Sequence, residues 1–197
     1  MRDLAVLSFV TLDGVMQSPS MPEEDPSGGF NQGGWAATYW DETMPHVASI
    51  AMSDPYDILF GRTTYDIFAD HWPNAPRSDL GDRLNAAQKY VVTSRNSQLA
   101  WENSHTLTGD IPNAIANLKA KEGPLLQVHG SAALIQTLQV HDLIDEFRIW
   151  TFPVVVGPGK RLFGDNIIPR HYPLVASETL DNGVTHHILR LAAFLKR

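Results

Sequence analysis

Twice along the chain a short apolar run passes into a glycine and then into a stripe with helical spacing. Asp57-Ile58-Leu59-Phe60 enters Gly61-Arg62-Thr63-Thr64 ahead of Tyr65, Phe68, Ala69 and Trp72. Leu125-Leu126-Gln127-Val128 enters His129-Gly130-Ser131 ahead of Leu134, Ile135 and Leu138. A strand followed at once by a helix must return over the sheet before the next strand, so the pattern predicts parallel pairing with helices packed on the sheet faces.

The remaining segments fit that frame. Leu4 to Val10 is nearly all apolar and ends at Asp13-Gly14, as suits a central strand covered on both faces. Trp40, Met44, Val47, Ala48 and Ala51 predict a helix whose first turn carries Asp41 and Glu42. Thr63 with Asp66 has the form of a capping box, and Asp110 before Ile111-Pro112 marks another helix start. Lys89 to Thr93 reads as a strand, and Phe147 to Val156 as a long one with Pro153 inside it at a bulge or an edge. Leu174 to Leu180 and Val184 to Leu191 flank Asp181-Asn182-Gly183, a strong hairpin signal. From Gly14 to Trp35, five Gly and three Pro interrupt any regular element.

Composition narrows the chemistry. The 197 residues suit a single domain over 1–197, and the absence of Cys removes disulfide scaffolds, thiolate metal sites and a cysteine nucleophile. No apolar run reaches the roughly 20 residues of a membrane span, and the start has no signal-peptide character, so a cytoplasmic protein is expected. With 15 Lys+Arg against 22 Asp+Glu, no nucleic-acid or membrane partner is expected. The eight His have no metal-ligand spacing, and His186-His187 in a strand would face opposite ways, so no metal is expected. No Gly-x-Ser-x-Gly elbow occurs, and Gly157-Pro158-Gly159-Lys160-Arg161 lacks both the Walker spacing and the dinucleotide fingerprint.

The two strand-to-helix glycines carry the better signal. Glycine lets the backbone approach a ligand, and a helix N-terminus offers amides and a positive dipole end to phosphate oxygens, so two such junctions suit a pyrophosphate. Thr93-Ser94-Arg95 adds hydroxyls and a guanidinium at the carboxyl edge, where open α/β sheets place ligands. The plainer alternative makes Thr63 and Ser131 ordinary N-caps and Arg62 a surface charge.

In order, Thr11-Leu12-Asp13-Gly14, Leu59-Phe60-Gly61-Arg62-Thr63-Thr64-Tyr65, Val128-His129-Gly130-Ser131, Asp145-Glu146-Phe147-Arg148 and Val155-Val156-Gly157-Pro158-Gly159-Lys160-Arg161-Leu162-Phe163 resemble the dihydrofolate-reductase-like superfamily. More closely, the chain resembles the reductase domain of the riboflavin-biosynthesis deaminase/reductase and its stand-alone bacterial relatives, from about Leu4 to Leu191. The resemblance implies a three-layer α/β/α fold on a mainly parallel eight-stranded sheet ending in an antiparallel C-terminal hairpin. It also implies NADPH as cofactor, with Gly61, Arg62, Thr63 and Thr64 in one binding turn, Arg62 on the 2′-phosphate, and Thr93, Ser94 and Arg95 in a second. Gly130, Ser131, Ala132 and Leu134 then match the turn over the pyrophosphate, and Phe9, Val10 and Thr11 lie near the nicotinamide.

On the substrate side the resemblance implies Asp13 as the catalytic candidate beside the substrate, Lys160 and Arg161 on a ribose phosphate, and Gly14–Trp35 as an active-site lid. Trp35, with Tyr39 and Trp40, forms either an aromatic wall for a flat heterocycle or part of the core. The middle of the first helix, Thr43 to Met52, has no Asp or Glu, so dihydrofolate reduction itself is not expected. The implied activity is NADPH-dependent hydride transfer to a small heterocyclic or carbonyl/imine substrate, as in 5-amino-6-(5-phosphoribosylamino)uracil reductase. The alternative is a non-catalytic nucleotide-binding or interaction module on the same fold. A homodimer is also implied, with Phe147–Val156 as a candidate interface strand.

Overall fold

In the computed structural model, which describes residues 1–94 and 98–193, eight strands form one sheet in the order β4-β3-β2-β5-β1-β6-β8-β7. The strands are β1 (Leu4–Thr11), β2 (Tyr56–Gly61), β3 (Lys89–Val92), β4 (Ser104–Leu107), β5 (Leu125–Val128), β6 (Glu146–Phe152), β7 (Leu174–Thr179) and β8 (Thr185–Arg190). The helices are α1 (Trp40–Ala51), α2 (Arg62–His71), α3 (Asp79–Ala86), α4 (Ile111–Ala120) and α5 (Ala132–Val140). The first six strands run parallel, and β8 then pairs antiparallel with both β6 and β7.

Period-two alternation divides the core. Leu4, Val6 and Val10 of β1 join Leu59, Leu126 and Val128 on the face covered by α4 and α5, where Ile115, Leu118, Ile135 and Leu138 meet them. Ala5 and Leu7 turn to the opposite face, against Val47 and Ala51 of α1 and Trp150 and Phe152 of β6. Further along that face, Ile58 and Phe60 pack with Tyr65 of α2 and Leu84 of α3. Each fully buried Leu or Ile contributes about 1.5–3 kcal/mol by leaving water. A sheet covered on both sides in this way exposes function only at its edges.

Four expectations change. Ser104-His105-Thr106-Leu107, which no periodicity announced, forms the edge strand β4, half exposed and held by pairing with β3. The strand beginning at Phe147 stops at Phe152, because Pro153 has no amide to continue the ladder. That strand, β6, lies between β1 and β8, so it is interior and Pro153 does not mark a sheet edge. Thr63 is not an N-cap, and no capping box with Asp66 forms. The N-cap of α2 is Gly61, without a side-chain cap, and Asp66 instead accepts from Arg62 one turn back.

The hairpin is as its turn sequence requires. Gly183 has φ +84° and Asn182 Oδ1 accepts the Val184 amide at 3.1 Å, closing the turn between β7 and β8.

Candidate active site

Because β2 and β5 are neighbours, the two glycine junctions meet at the carboxyl edge. The Gly61 amide donates to the Gly130 carbonyl at 3.1 Å, and the Gly130–Ser131 peptide is cis. A Cβ on Gly61 would stand 2.3 Å from Ser131 Oγ, and one on Gly130 would stand 2.7 Å from Thr64 Oγ1. Gly130 also has φ +141°, which L side chains rarely adopt. Neither position therefore tolerates a side chain without displacement of the other turn.

The helices that start here differ from two others. Ser78 caps α3 by accepting the Gly81 amide at 3.1 Å, and Asp110 caps α4 by accepting the Asn113 amide at 3.2 Å. The N-caps of α2 and α5, Gly61 and Ser131, make no side-chain cap, nor does Tyr39 at the start of α1. Two adjacent helix starts thus present first-turn amides and positive dipole ends along one stretch of edge, the arrangement that favours an anion. Thr63, Thr64 and Ala132 lie in those first turns.

Beyond β2, Thr93 is buried at the end of β3, its amide donating to the Leu107 carbonyl at 3.2 Å, and Ser94 beside it is exposed. Arg95 lies outside the described residues. Arg62 donates from Nε to both Asp66 oxygens at 2.8 and 3.0 Å and lies 5.9 Å from the Tyr65 ring centre. His129, just before Gly130, is neutral at ordinary pH, since burial pushes its pKa down to about 4.

On the other side of β5, the ends of β1 and β6 carry a different construction. Asp13 accepts from Thr11 Oγ1 at 2.6 Å and from the amides of Val156 and Gly157 at 3.3 and 2.9 Å. The Thr11 hydroxyl, helped by these two amides, holds the carboxyl below its ordinary value despite partial burial. An ionised Asp13 can stabilise a nearby positive charge and is a poor proton donor at neutral pH. The Arg161 guanidinium stands 4.0 Å from it.

The segment after β1 is stitched to the segment after β6. Val15 bridges Arg161, and Gln17 Oε1 accepts the Lys160 amide at 2.9 Å. Gln17 is buried, and its Nε2 donates to the carbonyls of Asp25 and Ser27 at 2.8 and 3.0 Å. Lys160 Nζ contacts Asp25 Oδ2 and Ser27 Oγ, both at 2.6 Å. Trp35 Nε1 donates to the Gln17 carbonyl at 2.8 Å while its ring meets Phe152 edge-on at 5.3 Å. Phe9 in turn meets Trp40, Trp150 and Phe152 at 5.4–5.7 Å.

A model of the RibD C-terminal domain matches residues 2–186. The chain belongs to that family. Among sequence relatives, YyaP of Bacillus subtilis (strain 168) is 30% identical over 132 residues, covering 64% of this chain and 69% of its own. YwjB of the same organism is 26% identical over 133 residues, covering 68% and 72%. Among solved structures, a putative riboflavin biosynthesis protein from Shewanella sp. PV-4 is similar at TM-score 0.70 and 20% identity, over 98% of this chain and all of that one. A pyrimidine reductase-like protein from Corynebacterium diphtheriae gives 0.62 at 10% identity, over 98% and 93%. Dihydrofolate reductase from Enterococcus faecalis, complexed with NADP(H), gives 0.59 at 12% identity, over 97% of each chain. At these identities the solved structures establish the dihydrofolate-reductase-like fold of this family member.

Set on this member of the RibD C-terminal domain family, the sequence candidates fall into two groups. Gly61, Arg62, Thr63, Thr64, Thr93, Ser94, Gly130, Ser131 and Ala132 share the edge formed by β3, β2 and β5. Asp13, Trp35, Lys160 and Arg161 gather beyond the ends of β1 and β6, around Gln17. Leu134 is buried with Ile135 and Leu138 in the core, and Val10 faces the same cluster, so neither side chain is at the edge. Phe9 points the opposite way from Val10, into the half-buried aromatic group that Trp35, Tyr39 and Trp40 share with Phe152. Lys160, expected on a ribose phosphate, is engaged by Asp25. Gln17, Ser18 and Asp25 join this second group, and sequence patterns missed them. A buried amide in an irregular segment has no periodicity to reveal it.

Proposed function

We propose that this protein is an NADPH-dependent oxidoreductase that transfers hydride to a small heterocyclic or carbonyl/imine substrate. The observation that carries the proposal is the Gly61–Gly130 junction, where two uncapped helix starts lie side by side and neither glycine leaves room for a Cβ. These features fit a pyrophosphate, which needs backbone amides at close range more than side chains. Gly61, Thr63, Thr64, Gly130, Ser131 and Ala132 would hold it, with Thr93, Ser94 and Arg95 on the adenosine side. Arg62, oriented by Asp66 through Nε, is assigned to the 2′-phosphate.

NADPH, when bound, supplies a hydride from its nicotinamide ring; the protein supplies position and a dry surface. The backbone of β1 from Phe9 to Thr11 borders the reacting centre, and Phe9, Trp35 and Trp40 line its apolar side. Asp13, ionised by its hydrogen bonds, would steady positive charge on a substrate nitrogen, while the proton that accompanies hydride addition comes from water. In α1, Thr43, Val47 and Ala51 face inward and the acids Asp41 and Glu42 are exposed, so the helix has no inward carboxylate for a pterin. That observation favours a pyrimidine-like or carbonyl substrate over dihydrofolate. It also sustains the second reading, a nucleotide-binding module without turnover.

The test is loss of NADPH absorbance on addition of pyrimidine, pterin and carbonyl compounds to the purified protein. Oxidation with one class establishes the reductase; cofactor binding without oxidation by any of them favours the module. A cytoplasmic homodimer is part of the same proposal, and a solution mass of twice 21.8 kDa is its expected outcome.

A further inference from the structure

The two adjacent cations beyond β6 are both matched by carboxylates from the segment after β1. Lys160 meets Asp25, and Arg161 faces Asp13. An ordinary surface ion pair contributes little, because two long side chains must be immobilised to form it. The Lys160–Asp25 pair is built differently. The Asp25 amide donates to the Ser18 hydroxyl at 2.7 Å, and its carbonyl accepts from Ser18 Oγ and Gln17 Nε2 at 3.0 and 2.8 Å. Gln17 and Ser18 are 4% and 2% exposed, and Gln17 also takes the Lys160 amide, so one buried side chain fixes the backbone of both partners. Ser27 completes a triangle, donating from Oγ to Asp25 Oδ1 at 2.6 Å while accepting from Lys160 Nζ at the same distance. Although burial pushes the Asp25 carboxyl up, the bonds from Lys160 and Ser27 more than offset it, and the group stays below its ordinary value.

Resting on the reading of this edge as the substrate side of a reductase, we propose that Asp25 makes the site selective for a flat heterocycle that carries no phosphate. It does so by occupying Lys160 and by placing a fixed negative charge where a ligand phosphate would otherwise be gripped. The four groups Asp13, Asp25, Lys160 and Arg161 sum to zero charge, so an incoming phosphate gains no net attraction and must displace a preorganised carboxylate. Gln17, through its carbonyl, also holds Trp35 against Phe152, so the element that neutralises the cations sets the aromatic wall. Phosphate exclusion and a flat apolar contact thus come from one structural unit.

The experiment compares wild type, Asp25→Asn and Asp25→Glu for binding of ribose 5-phosphate, with uncharged ribose as control, by calorimetry at low salt. Wild type and Asp25→Glu are expected to show no preference for the phosphorylated sugar over ribose. Asp25→Asn is expected to bind ribose 5-phosphate at least about tenfold more tightly than wild type does, a gain that a second change, Lys160→Met, removes. A wild-type protein that prefers the phosphorylated sugar overturns the proposal, and so does an Asp25→Asn variant with no gain. Should Asp25→Asn be unstable by circular dichroism, Asp25→Ser serves in its place. NADPH is titrated into the same samples. Its failure to bind wild type overturns the reductase reading and not the role of Asp25, which the sugar phosphate decides.

Discussion

The two halves of the carboxyl edge are built from different materials. Over β2, β3 and β5 the organising bonds are between backbone groups, and the decisive feature is what is missing, a Cβ at Gly61 and Gly130 and a side-chain cap on α2 and α5. Beyond β1 and β6 the organising bonds come from buried polar side chains, Thr11 and Ser18 accepting backbone amides a few residues further on and Gln17 accepting the Lys160 amide far away in sequence. Generality and selectivity therefore reside in different halves. Amides at helix ends suit any phosphate, whereas a fixed set of polar side chains and paired charges suits one shape and charge.

Breaking the first half should have the largest effect. Gly130→Ala places a Cβ 2.7 Å from Thr64 Oγ1 at φ +141°, and should lower stability by about 1–3 kcal/mol and abolish NADPH binding. Thermal melting and a cofactor titration check both, and wild-type affinity in this variant would remove the junction from the cofactor site. Gln17→Ala strips partners from the Lys160 amide and from the Asp25 and Ser27 carbonyls, at about 1–3 kcal/mol. Because that damage lies in the second half, NADPH affinity should survive it; parallel loss would mean that the halves are not separable.

Arg62→Ala should weaken NADPH by about tenfold and leave NADH nearly unchanged, as isothermal titration would show. Equal weakening of both would move the 2′-phosphate elsewhere. The smallest effect concerns the floor of the second half. His186 stacks on Trp150 at 4.4 Å, its Nε2 has no hydrogen-bond partner among the described residues, and burial together with the neighbouring His46 and His187 pushes its pKa down to about 4. In the window between 4 and 6.5 the unfolded chain binds the proton that the folded site refuses, so acidification through that window costs stability. His186→Phe should melt less readily than wild type at pH 5 and differ by under about 1 kcal/mol at pH 7. An unchanged pH dependence would show that His186 is not the group responsible.

What could be read from the sequence follows the same division. The glycine junctions and the Asn182-Gly183 turn were legible because their requirements are local: a positive φ, a close approach, an apolar run of fixed period. β4 was not, since Ser104-His105-Thr106-Leu107 has no apolar face and owes its conformation to β3. The capping box at Thr63 failed because the preceding glycine takes the cap position and Arg62 claims Asp66. The pairing of Lys160 with Asp25 was not legible because the two residues lie 135 positions apart. Gln17 left no trace at all, for its value lies in four bonds to places that only the fold brings together.

Calorimetric titration of the purified protein with NADPH and, separately, NADH decides whether the edge over β2, β3 and β5 is a cofactor site. Saturable binding of NADPH with a clear preference over NADH, lost in Gly130→Ala, is the expected result. Binding of neither nucleotide would contradict it, leaving the fold in place without the cofactor site.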